Sequence, residues 1–317
     1  MSTPLSAPLN LMGGAERDFE RRLPIPLLRS FLFAPGNHAR RVEKALTLEA
    51  DAVILDLEDA VATAEKVATR ATIATALTQP RTGFLYVRVN AADTEFCYGD
   101  LVAVVRPGLD GIILPKVESP ATLTTIDWVL QQIERERRLS EGAIDLIPII
   151  ETARGLTHLD AILATGTRVK RIAFGAGDFT LDVNMQWKRD EAELSYARAK
   201  IVTASRAAGL EAPLDTVWVD LQDAEALEAS ARAALAYGFQ GKMCIHPNQV
   251  TVVNNVFTPS EEEVAFAERV VAAFEKAEAE GVASIQLDGK FIDYPIVYRA
   301  QRLLEKTAAI RKHERRA

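Results

Sequence analysis

The chain has 317 residues, with 37 Lys plus Arg against 44 Asp plus Glu, a net charge of −7, and 48% hydrophobic and 26% charged residues. That balance belongs to an ordinary globular protein and excludes long disorder, collagen and coiled coil, while the acidic surplus argues against a general nucleic-acid binder. No apolar run approaches the ~18 residues of a membrane span, and Cys97 and Cys244 are too few and too widely spaced for a disulfide framework or a zinc site, so a cytoplasmic, reducing setting is expected.

Length alone, at roughly 150 residues per domain, suggests about two domains, although an α/β barrel reaches ~250 as one. Residues 1–28 mix Ser, Pro, Gly and charge without a period and read as an N-terminal arm, with a short helix near 16–22. From Ser30 the pattern changes. Strand-like runs follow at Ser30–Pro35, Ala52–Leu57, Phe84–Asn90, Gly111–Val117, Leu146–Glu151, Arg171–Gly175, Thr216–Leu221 and Lys242–His246. Most are continuously apolar, as in strands buried on both faces of a parallel sheet. Helical patterns rich in Ala, Leu, Glu and Arg separate them, among them Pro120–Arg138, Glu191–Ala208 and Ala224–Tyr237. Strand–helix repeats of this number and size predict a (β/α)8 TIM barrel over 29–258, with a doubly wound open sheet as the competitor. Residues 259–317 add a helix at Ser260–Gly281, a strand at Ile285–Leu287 and a helix at Pro295–Ala309, a C-terminal helical extension that reads as a lid or an oligomer contact.

Chemistry in such a barrel gathers at the C-terminal ends of the strands. Here nearly every strand stops on an ionisable side chain: Asp56, Glu58 and Asp59, then Arg88, Lys116, Glu151, Asp178, Asp220 and His246. Glu151 and Asp178, from successive strands, form a carboxylate pair suited to Mg²⁺, which takes few protein oxygens and keeps water. The alternative is two acids paired with Lys or Arg. Arg88 can fork onto a carboxylate or stabilise a developing enolate oxygen; an internal pair with Asp56 or Glu58 is the other reading, and both can hold together. The small residues Gly175-Ala176-Gly177 let backbone N–H groups approach a ligand carboxylate. Arg40, Arg41 and Lys44 follow the turn after strand one, where a bound polyanion would explain cations in a first turn that opposes the helix dipole. His158 shows no evident partner.

These segments together resemble the citrate lyase β-subunit-like branch of the HpcH/HpaI aldolase superfamily, the CoA-ester lyases. The resemblance rests on Phe33-Ala-Pro-Gly36, Leu55-Asp-Leu-Glu-Asp-Ala-Val61, Val87-Arg-Val-Asn90, Leu114-Pro-Lys-Val-Glu-Ser119, Ile149-Ile-Glu-Thr-Ala-Arg-Gly155, Phe174-Gly-Ala-Gly-Asp-Phe179, Gly241-Lys-Met-Cys-Ile-His-Pro-Asn-Gln249 and Ile292-Asp-Tyr-Pro295. It implies a barrel that binds Mg²⁺ through Glu151 and Asp178, with Arg88 on the oxo-acid oxygen and the backbone of Gly177, Asp178 and Phe179 on its carboxylate. Coenzyme A would lie along Phe33 and Lys44 and near Ile245 and His246; His38 stands where some relatives have an arginine. Asp293 matches an acid delivered by a neighbouring subunit, which implies a homo-oligomer, a trimer or a hexamer. Glu58 joins Arg88 and Asp293 as a candidate catalytic residue. The implied reaction is Mg²⁺-dependent cleavage of a 3-hydroxyacyl-CoA (citryl-, malyl- or citramalyl-CoA) to acetyl-CoA and a 2-oxo acid. The alternatives are a malyl-CoA thioesterase, a pyruvate-type aldolase acting on free acids, and a citrate lyase subunit acting with an acyl carrier protein.

Overall fold

A computed structural model describes residues 28–314; the predicted helix near 16–22 lies outside the described residues. Strands β1 (Ser30–Pro35), β2 (Ala52–Asp56), β3 (Phe84–Arg88), β4 (Gly111–Leu114), β5 (Asp145–Ile150), β6 (Ala173–Phe174), β7 (Leu214–Asp215) and β8 (Gly241–Cys244) close into one barrel in sequence order. Every neighbouring pair is parallel, including β1 with β8. The open-sheet competitor is thereby excluded.

The continuous apolar runs are explained by two separate cores. Alternate residues point inward, so Phe31, Ile54, Tyr86, Ile113, Ile147, Ile149 and Met243 fill the barrel. Their neighbours Leu32, Val53, Leu55, Leu85, Val87, Ile112 and Leu146 pack outward under the helices. Leu28 is 2% exposed and belongs to the inner cluster.

The surrounding helices are α1 (Ala39–Leu46), α2 (Lys66–Ala76), α3 (Cys97–Val104), α4 (Pro120–Glu136), α5 (Ala153–Thr157), α6 (Leu159–Leu163), α7 (Ala176–Asp182), α8 (Ser195–Ala207), α9 (Ala224–Tyr237) and α10 (Pro247–Phe257). None of the described helices is long and apolar enough to cross a membrane. The seventh strand is the main displacement from expectation. Thr216–Leu221 is a loop, because its polar groups pair with the first turns of α7 and α10 rather than with a ladder. The Thr216 hydroxyl accepts from the Ala176 N–H at 2.9 Å, and the Trp218 carbonyl accepts from the Gln249 amide at 2.8 Å.

Beyond the barrel, α11 (Glu261–Ala279) starts at a Ser260/Glu263 capping box. A hairpin, β9 (Ile285–Leu287) with β10 (Lys290–Ile292), leads into α12 (Tyr294–Glu314). The hairpin turn is Asp288-Gly289 with φ of 49° and 77°, the two-residue turn that Asp-Gly favours. This extension has its own core, built on Phe274, Ile292 and Val297. Farther along α12, the ammonium of Lys306 lies 5.7 Å from the ring of Phe257. Burial and the nearby Arg29 push its pKa down to about 8. Arg29 sits just before β1, at the barrel floor, so this contact lies at the end opposite the strand C-termini.

Candidate active site

At the C-terminal mouth the register places Arg88 directly opposite Asp56, and the two-residue period turns both inward with Tyr86 and Ile54. Arg88 Nε donates to Asp56 Oδ1 at 2.7 Å and Nη2 donates to Oδ2 at 2.6 Å, a bidentate fork. The Asp56 carboxylate also accepts from the backbone N–H groups of Glu58 and Ala60, both at 2.9 Å. Burial opposes its charge, but the adjacent guanidinium and these donors hold its pKa below the usual carboxylate range. Arg88 Nη1 turns toward Glu58 Oε2 at 3.0 Å and Asp59 Oδ2 at 3.4 Å. The Glu58 contact is an ion pair whose angle does not make a hydrogen bond, so Oε2 keeps acceptor capacity in a buried position. The ring of Phe33 lies 4.9 Å from the guanidinium carbon and closes this side of the cluster.

Lys116 joins this cluster to the carboxylate pair, a role that its residue type alone did not signal beyond a charge at a strand end. It has φ of 52°, uncommon for a residue with a side chain. This conformation lets its backbone N–H donate to Glu151 Oε1 at 2.7 Å while its ammonium donates to Glu58 Oε1, also at 2.7 Å. Glu58 is raised by burial, against the pull of Arg88 and Lys116.

Glu151 follows β5 and is 3% exposed. Burial, then the charges of Asp178 and Glu58, push its carboxyl up to about 8. Asp178 is in the first turn of α7. Gly175 makes the space: a Cβ there would fall 2.4 Å from Glu151 Oε2. A buried carboxylate whose charge is opposed by a second one nearby fits a divalent cation placed between them. Among the described residues no group of three His, Cys, Asp or Glu could hold a metal. A pair of carboxylates with open positions is the donor set of Mg²⁺.

The remaining predicted residues are sorted by their surroundings. The N–H of Phe179 is spent on the Gly175 carbonyl at 3.1 Å, and its ring is core, edge-on to Phe174 at 5.6 Å. The backbone donors expected over 177–179 therefore narrow to Gly177 and Asp178. Lys44 lies in the last turn of α1, where a cation complements the dipole, so only Arg40 and Arg41 oppose it. Ile245 is 40% exposed at the mouth. His246 caps α10, its Nδ1 accepting from the Asn248 N–H at 3.2 Å, which leaves the proton on Nε2. His158 does have a partner: its Nδ1 lies 3.0 Å from the Glu118 carbonyl. Asp293 ends the hairpin, and its carbonyl starts α12 by accepting from Ile296 and Val297.

The family model for HpcH/HpaI aldolase/citrate lyase matches residues 29–247, and the chain belongs to that family. It is 37% identical over 281 residues to the citrate lyase subunit beta of Leuconostoc mesenteroides subsp. cremoris, covering 88% of this chain and 93% of that one. It is 35% identical over 284 residues to a (3S)-malyl-CoA thioesterase of Cereibacter sphaeroides, covering 89% and 95%. Among solved structures, the protein CitE of Mycobacterium tuberculosis in complex with magnesium, acetoacetate and coenzyme A superposes with a TM-score of 0.71 at 31% identity, over 88% of this chain and 98% of that one.

Proposed function

We propose that this chain is a Mg²⁺-dependent carbon–carbon lyase that splits a 3-hydroxyacyl-CoA (citryl-, malyl- or citramalyl-CoA) into acetyl-CoA and a 2-oxo acid. The observation that carries the reading is the Glu151–Asp178 carboxylate pair facing the Arg88 cluster across one barrel mouth, joined to it by Lys116. Magnesium held by Glu151 and Asp178 would supply a Lewis acid for the substrate's hydroxyl and carboxylate oxygens.

This chain's residues divide the remaining work. Gly177 and Asp178 N–H groups orient the oxo acid's carboxylate. Glu58, raised by burial, accepts the hydroxyl proton as the alcohol becomes a ketone. The electron pair of the broken C–C bond passes into the enolate of acetyl-CoA, and Arg88, locked by Asp56, stabilises that oxyanion without moving. Asp293 of a neighbouring copy returns a proton to the enolate carbon, completing the methyl group. Coenzyme A lies over Phe33 and the cations of α1, with Ile245 and His246 on the far side. The active assembly is a homo-oligomer, a trimer or a hexamer, in which the extension completes a neighbour's site, and its setting is the cytoplasm.

A second reading, hydrolysis of the malyl-CoA thioester, is favoured by the likeness to the Cereibacter sphaeroides thioesterase. A third, action with an acyl carrier protein, is favoured by the likeness to the citrate lyase subunit. Product analysis with free CoA esters separates all three.

A further inference from the structure

We propose that Trp187 is the wall that sizes the side group of the 2-oxo acid, held in place by a buried ion network that runs to the barrel strands. The inference rests on the lyase reading and names a specificity residue for it. Gly177, the residue before Asp178, is exposed in the first turn of α7. A Cβ built there would meet one heavy atom within 4 Å outside its own surroundings, Cζ3 of Trp187 at 3.8 Å. The edge of the indole is therefore the neighbour that bounds the open space beside the candidate metal carboxylate.

The indole is held from behind. Trp187 Nε1 donates to Glu191 Oε1 at 3.2 Å. Glu191 is 3% exposed and has φ of 51°, a strained placement that persists only when its surroundings fix it. Its other oxygen accepts from Arg198 Nη2 at 2.7 Å and from the Ser230 hydroxyl at 2.6 Å. Arg198 in turn forks onto Asp215 of β7 at 3.0 and 2.9 Å, and Asp215 accepts from Lys242 of β8 at 2.6 Å. Two cations and two carboxylates balance in this chain of contacts. No step of the proposed reaction uses any of them, and their arrangement leads from the barrel wall to the indole. Trp187 would act by contact with the substrate's side group, and Glu191 is a positioning residue that acts through Trp187.

A wall of this kind discriminates by size, and one methylene in an apolar pocket is worth roughly 10–200-fold in kcat/KM. The test is the condensation of acetyl-CoA with pyruvate or with 2-oxobutyrate, which is one methylene longer, in the presence of Mg²⁺. Trp187→Leu should raise the 2-oxobutyrate to pyruvate ratio of kcat/KM at least about tenfold over the unaltered protein. Gly177→Ala, which adds a methyl at ordinary contact distance from the indole, should lower the same ratio, and it carries the test if Trp187→Leu does not fold. Glu191→Gln should shift the ratio in the direction of Trp187→Leu, with a change in tryptophan emission on pyruvate binding that Trp187→Phe abolishes. An unaltered protein that condenses pyruvate while both variants leave the ratio unchanged, or lose both substrates equally, overturns the inference and leaves the lyase reading standing. If the unaltered protein condenses neither but takes glyoxylate or oxaloacetate, failure of Trp187→Leu to admit pyruvate overturns the inference alone; condensation of none of the four overturns both.

Discussion

Asp56 and Arg88 are register partners on adjacent parallel strands, and the guanidinium closes a two-bond fork onto the carboxylate at 2.7 and 2.6 Å. The fork uses Nε and Nη2 and leaves Nη1 aimed along Glu58 and Asp59 into the mouth. In the proposed reaction Asp56 thus fixes the donor that would face the reacting oxygen. Arg88→Lys keeps a positive charge but cannot form the fork, so kcat should fall by roughly 10²–10³, the cost of losing one oxyanion donor. Steady-state kinetics with a thermal melt checks this. A folded Arg88→Lys protein with unchanged kcat contradicts the role.

The carboxylate pair makes a separate prediction about metal. Glu151→Gln and Asp178→Asn should each abolish measurable Mg²⁺ binding by calorimetry and lyase turnover together. Gly175→Ala places a methyl 2.4 Å from Glu151 Oε2, so Glu151 must move. It should weaken Mg²⁺ binding while leaving the rest of the barrel folded. Normal Mg²⁺ affinity in Gly175→Ala would mean that Glu151 is not held where the metal binds.

The barrel was legible because strands buried on both faces write uninterrupted apolar runs, and because acids and bases placed just beyond those runs must reach the mouth. Arg88, Glu151 and Asp178 could be picked out on that ground. Lys116 could be placed at the mouth on the same ground, but its link to Glu151 could not, since that rests on a φ of 52° that aims its N–H there. Strand seven was displaced because Thr216 and the Trp218 carbonyl bond to Ala176 and Gln249, partners that only the closed barrel brings near. The helix bond that occupies the Phe179 N–H was not legible, because a motif does not say which N–H the helix consumes. The turn into the second strand of the terminal hairpin is signalled by Asp288-Gly289.

The ion network behind β7 and β8 predicts how the fold responds to acid. Burial works against the charge of Asp215, but Lys242 and Arg198 outweigh it and hold its pKa below the usual value. A depressed folded-state pKa contributes stability that is present above the unfolded carboxylate value of about 3.9 and is lost as pH falls through the folded value. Lys242 and Asp215 are both 0% exposed, and removing one member leaves a buried charge under-compensated, so Lys242→Met should cost about 3–5 kcal/mol at neutral pH. Chemical denaturation at pH 7 and near pH 3 measures both effects. The gap between the unaltered protein and Lys242→Met should narrow in acid, and a constant gap contradicts the assignment.

Asp293 lies on the extension, whose core is separate from that of the barrel. If a neighbouring copy delivers it, Asp293→Asn and Arg88→Ala proteins, each inactive alone, should regain activity when subunits are mixed and allowed to exchange. Mixed oligomers would contain some sites with both residues intact. No recovery, with exchange verified by differently tagged subunits, would place Asp293 outside the shared site.

The most direct measurement is the product balance of the purified chain with citryl-CoA, malyl-CoA and citramalyl-CoA, followed by separating the thioesters and assaying the oxo acid, with Mg²⁺ and then with excess chelator. The account predicts acetyl-CoA and a 2-oxo acid in equal amounts from at least one of the three, and no turnover once the metal is removed. Free CoA without acetyl-CoA, or turnover that survives the chelator, would contradict it.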